Sequence, residues 1–296
     1  MSTGTTDSGA AGTSAARTAA ATAQAGEVRS GFGDLLAAEW LKLRSLRSMR
    51  WGVPLGGLAL VALNADAAFA DYRNWPHYDL GMRQVFRPEG SWRDAFTNNT
   101  GIALLLVCGV LGALAVVGEY ASGSIRSSFA AVPARRSVIA AKTAVVAGTM
   151  LVFGALVTPA SFWLTQAILS GRHAGLPWGY SGTTRGLLAD TLLAPVSALV
   201  GLGLAVLIRH AAATVVAVVT VLLLVPNFLS DNHYWTALLY NATPFRAWQF
   251  LAPLDVPGFR SGRPFPADAA GSWWVLALWP LVAVVLSLVV IDRRDV

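Results

Sequence analysis

The chain has 296 residues, 55% of them apolar and only 13% charged, a composition that excludes an ordinary soluble domain and points to lipid as the solvent. Its 22 Lys and Arg exceed its 16 Asp and Glu by six. These cations stand in short groups beside apolar runs, which fits membrane topology and excludes a basic nucleic-acid face. The single cysteine, Cys108, excludes a disulfide framework and a cysteine-based metal site.

Residues 1–31 are mostly Ala, Thr, Ser and Gly, with too little apolar surface to bury, and read as a disordered tail. They lack the basic start and apolar core of a signal peptide. Over 32–50, Phe32, Leu35, Leu36, Trp40, Leu43 and Leu46 recur at three- and four-residue steps, while Lys42, Arg44, Arg47 and Arg50 fall elsewhere. This spacing predicts an amphipathic helix lying on a membrane surface.

Six apolar stretches then approach or exceed the roughly 20 residues that a helix needs to cross a bilayer. They cover about 51–70, 100–118, 138–169, 187–208, 211–229 and 273–291. The first is the least apolar, with Asn64 and Asp66 near its far end. Pro159 and Pro195 lie inside the third and fourth, and only Arg209 and His210 separate the fourth from the fifth. Between spans five and six, 232–251 is too aromatic for a free loop and too polar to cross, so a re-entrant or interface-lying helix pair is expected there.

Six crossings place both termini on one side. Both lysines and Arg44, Arg47, Arg50, Arg126, Arg135, Arg136, Arg209, Arg293 and Arg294 share that side, so it is expected to be cytosolic. The opposing segments carry nine arginines, nearly neutralised by eight acids in or beside them. The expected architecture is an all-α polytopic membrane protein, located in the cytoplasmic membrane: an interface helix over 32–50 and a six-helix domain over 51–296.

Catalytic patterns are missing. A phosphate-binding loop ends in Gly-Lys-Ser/Thr, and neither Lys42, after Leu41, nor Lys142, after Ala141, has that context. No H-E-x-x-H or paired intramembrane carboxylates occur, and His77, His173, His210 and His233 all fall in loops or at helix ends. Asp66 and Asp190 are the only acids within the predicted spans. Both lie near the outer ends, within reach of water, and are candidates for a substrate path.

Between spans two and three stands the segment 118–136. Gly123 permits a reversal after the span, Ile125 and Phe129 are spaced to form one apolar helix stripe, and Pro133 stops that helix before Arg135 and Arg136. A carboxylate just below an apolar span, Glu119, is tolerated only if hydrated or paired. The expected partner is Arg44 or Arg47 of the interface helix.

Two cytosolic patterns carry a family likeness: A-A-E-W-L-K-L-R-S-L-R-S over 37–48, containing Glu39, Trp40, Lys42, Arg44 and Arg47, and E-Y-x-S-G-S-I-R-x-x-x-A-A-V-P-x-R-R over 119–136, with Ala-Lys at 141–142 and R-R-D at 293–295. On these the chain resembles, over nearly all of its length after residue 32, the permease subunits of ABC type-2 exporters of actinobacterial type. The resemblance implies a transmembrane subunit with no cofactor of its own, paired with a second copy or a homologous permease. It also implies separate ABC ATPase subunits that carry ATP and Mg, and export of a drug, antibiotic, lipid or peptide. It further implies a coupling helix at about 123–131 whose contacts with the ATPase include Ile125, Arg126 and Phe129. A membrane-embedded enzyme and a non-transporting scaffold or sensor component stay open as alternatives.

Overall fold

The computed structural model of the protein describes residues 31–124, 135–177, 179–230, 232–252 and 265–293. Among these every regular element is helical. Helix α1 (Phe32–Ser45) ends at Leu46, which is extended (φ −66°, ψ 122°), and α2 (Arg47–Asn74) starts at once. The expected interface helix is therefore shorter than 32–50, and Arg47 and Arg50 belong to the first turn of a spanning helix.

Further along, α5 (Asn98–Ser122), α6 (Arg135–Ser170), α7 (Thr183–Ile208) and α12 (Ala269–Arg293) are each long and apolar enough to cross a membrane. So is the run of α8 (Ala211–Val219), a π-turn over Thr220–Leu224 and α9 (Val225–Phe228). With α2 this makes six such helices among the described residues, and the chain is a membrane protein. Pro54, Pro159, Pro195 and Pro280 all lie inside these helices, where neighbouring helices can re-satisfy the backbone groups a proline frees. Arg209, at φ 58°, makes the tight corner between α7 and α8.

The segment 71–101 is not a loop. A short 3₁₀ turn (Trp75–His77), α3 (Leu80–Val85), a π-turn (Phe86–Gly90) and α4 (Ser91–Ala95) fold it back over the ends of the spans. Trp75 stands edge-on to Tyr78 and Phe86, and Trp92 packs with Phe96, Phe162, Leu176 and Leu187. That aromatic content is what the hydropathy pattern of the sequence under-weighted. Two more short helices, α10 (Tyr234–Asn241) and α11 (Pro244–Leu251), occupy the place where a helix pair was expected.

The centre of the bundle is the crossing of α5 and α7. A Cβ added to Gly112 would stand 2.0 Å from the carbonyl oxygen of Ala198, and one added to Gly201 would stand 1.9 Å from that of Gly109. Backbones this close need small residues, the usual solution where lipid gives helices no hydrophobic reason to associate. Polar groups close a second seam. Asn64 donates to Ser161 Oγ at 2.7 Å and accepts from Thr100 Oγ1 at 2.6 Å, and Ser161 in turn donates to the Ala95 carbonyl at 3.0 Å. Asn64, which makes span one the least apolar in sequence, is thus fully buried and bonded across three helices.

Candidate functional site

At the end of the bundle that carries α1, four charged side chains converge. The α1 face turned to the bundle runs through Leu35, Glu39 and Leu43 at four-residue steps, so the helix buries a carboxylate between two leucines. Glu119 comes from the last turn of α5, and Lys142 from the second turn of α6. Lys142 Nζ donates to Glu39 Oε2 and, at 2.7 Å, to Glu119 Oε1. Lys42 Nζ donates to Glu39 Oε1 at 2.7 Å and lies 3.9 Å from Glu119 Oε1.

The side chains of Lys142, Glu39 and Glu119 are 6%, 4% and 13% exposed, while that of Lys42 is 40% exposed and forms the wet edge of the cluster. Two ammonium groups and two carboxylates cancel. A neutral, mutually bonded set is the form in which charges survive out of water, because each ion left alone would carry a desolvation penalty of several kcal/mol.

This arrangement corrects the expectation for Glu119. Its partners are Lys142 and Lys42, whereas Arg44 and Arg47 are exposed. The reason is helical phase: on α1, positions near 35, 39, 42 and 43 turn toward the cluster and Arg44 turns away, while Arg47 is exposed in the first turn of α2. The role of Lys142 was not read from sequence. A signal was present, however: the chain has only two lysines among 22 cations, and both reach the same two glutamates. Lysine suits the place, since a compact ammonium on a flexible stem can bridge carboxylates from two helices.

Gly123 ends α5 in the left-handed conformation, φ 70°, with its N–H on the Tyr120 carbonyl at 3.3 Å, a turn that favours glycine. Ser122 and Ser124 Oγ stand 3.0 Å apart, and a cavity of 320 Å³ reaches from these serines to Glu39, Lys42, Glu119 and Lys142. Ile125, Arg126, Phe129 and Pro133 lie outside the described residues. Nearby, the Arg209 guanidinium sits 5.2 Å above the Tyr120 ring and ties the α7–α8 corner to the same end of α5. Comparison of the chain with protein-family models and with curated proteins returns no match.

The two candidates for a substrate path differ in surroundings. Asp66 is exposed on α2. Asp190 is 0% exposed, which overturns the expectation that it reaches water: Trp248 Nε1 donates to its Oδ1, and its Oδ2 has no protein partner. Trp248 gets this close because position 101 is glycine, where a Cβ would fall 2.1 Å from the indole ring. Among the described residues no three His, Cys, Asp or Glu side chains form a group that could hold a metal ion. The four-charge cluster joins α1, α5 and α6 at one point.

Proposed function

We propose that the protein is the permease subunit of an ABC exporter, working with a second permease copy or homologue and with separate ATPase subunits that bind ATP and Mg. The cytosolic side is the one bearing α1, and the multi-pass chain sits in the cytoplasmic membrane. The observation that best supports this reading is the placement of the ion cluster on both flanks of 123–134. Glu119 precedes that segment, Lys142 follows it, and Lys142 donates both to Glu119 and to Glu39 of α1. A push on the segment from an ATPase would therefore move α5, α6 and α1 together. Spans rearranged in this way would pass an amphipathic or hydrophobic molecule outward.

The absence of a phosphate loop from the sequence agrees with an energy source on another chain. A tagged copy purified from its native host is expected to bring a P-loop ATPase in stoichiometric amount. Intrinsic hydrolytic activity without such a partner would favour a membrane-embedded enzyme, and neither result would favour a scaffold or sensor component.

A further inference from the structure

A second feature of the α1 end has no part in that scheme. Helices α1, α2 and α6 enclose a groove of 780 Å³, lined by Leu36 and Trp40, by Pro54 and Gly57, and by Gly148, Val152 and Leu156 among others. Its volume falls within the roughly 300–1,000 Å³ of ligand sites. The only hydroxyl in its lining, that of Thr149, donates to its own helix at the Val145 carbonyl, 2.7 Å away. The groove walls thus offer an occupant almost entirely apolar surface, as an acyl chain requires.

Arginines stand beside the lining where α1 meets α2. The α2 stripe that lines the groove at Pro54 and Gly57 continues back through Arg50 and Arg47 at three- and four-residue steps, and on α1 the step after Trp40 is Arg44. All three arginines are exposed, Arg44 in the last turn of α1 and Arg47 and Arg50 in the first turn of α2. Both α2 and α6 run away from the α1–α2 corner, since Gly57 meets Phe153 and Val157 while Asn64, two turns on, meets Ser161. From corner to bundle centre the order is guanidinium groups, the Trp40 indole, then apolar wall, which is the order of an anionic phospholipid from phosphate to acyl tail.

We propose that this groove is a binding site for one anionic phospholipid, its phosphate on Arg44, Arg47 and Arg50 and an acyl chain along Pro54, Gly148 and Val152. The site stands on geometry and charge, and does not depend on whether the chain exports anything. It would fix α1 against the spans at a defined depth.

Native mass spectrometry of the full chain in detergent tests it, with phosphatidylglycerol, phosphatidylcholine of the same acyl chains, or inorganic phosphate added. Phosphatidylglycerol is expected to be retained best and inorganic phosphate not at all. Replacing Arg47 and Arg50 by Gln lowers phosphatidylglycerol affinity roughly fivefold per arginine, the factor equivalent to about 1 kcal/mol per basic residue at an anionic surface. Gly148→Leu fills the groove and lowers the affinity for both lipids. A Cβ at 148 meets nothing within 4 Å, so that variant should fold. Equal retention of the two lipids, competition by inorganic phosphate, or lipid binding indifferent to Gly148→Leu would overturn the assignment. So would a dimer that Gly148→Leu dissociates while lipid binding stays unchanged, since the occupant would then be a second copy.

Discussion

Replacing Lys142 by Met keeps most of the stem and removes the ammonium that two buried carboxylates share. Glu39, 4% exposed, and Glu119, 13% exposed, would then have only Lys42, which is 40% exposed and 3.9 Å from Glu119. Removing one partner from a buried ion pair costs about 3–5 kcal/mol, because the remaining charge is uncompensated. Lys42 reduces that penalty at Glu39 more than at Glu119, so the expected loss is about 3 kcal/mol. Glu119→Gln should cost less, about 1–2 kcal/mol, since Lys142 keeps Glu39 and the amide still accepts a hydrogen bond. The triple change Lys142→Met, Glu39→Gln, Glu119→Gln leaves Lys42 as the only charge, at the wet edge, and should recover much of the loss. Reversible unfolding in mixed micelles measures all four chains. A Lys142→Met protein within about 0.5 kcal/mol of the parent, the range of ordinary surface substitutions, would refute the claim that this cluster joins the three helices.

Other outcomes follow from the same structure. Gly201→Leu at the α5–α7 crossing has no room, and should lower stability by about 1–3 kcal/mol or more, seen as an earlier unfolding midpoint. Asp190→Asn keeps an acceptor for Trp248 and should be near neutral in that assay, whereas Asp190→Leu orphans the indole N–H at about 1–3 kcal/mol. The hydrogen bond to Asp71, then burial and the charges of Asp71 and Asp94, push Tyr78 from its ordinary value of 10.0 up to about 12. Because the folded value is the raised one, its contribution is full below pH 10 and lost as pH rises toward 12. In a spectrophotometric tyrosinate titration Tyr78→Phe should remove a late-titrating group. Cys108 is the only cysteine and is buried, so single introduced cysteines can be labelled on a silent background. An impermeant maleimide on intact cells should reach Asp79→Cys and spare Arg44→Cys; the reverse pattern would invert the topology.

The six spans were legible because length and hydropathy alone define them. The left-handed conformation that ends α5 at Gly123 was legible because such backbone favours glycine. The charge cluster was not, since periodicity sorts apolar residues inward and charged ones outward, and Glu39 lies on the inward face between Leu35 and Leu43. Asn64 and Asp66 looked alike in sequence as blemishes on span one. Only the packing of α6 separates them, burying Asn64 against Ser161 and leaving Asp66 exposed. Asp190 was placed near water because it is close to the end of a span, but Trp248 and the short helices over that end cover it.

The proposed mechanism places the contact with an ATPase at about 123–131, between the two charged flanks. The most direct measurement compares affinity purifications from the native host of the parent chain and of one with 125–134 replaced by a Gly-Ser segment of equal length. The account predicts a stoichiometric P-loop ATPase with the parent and its loss from the replaced chain, with both chains equally abundant in the membrane. An ATPase retained by the replaced chain, or absent from the parent, would contradict it.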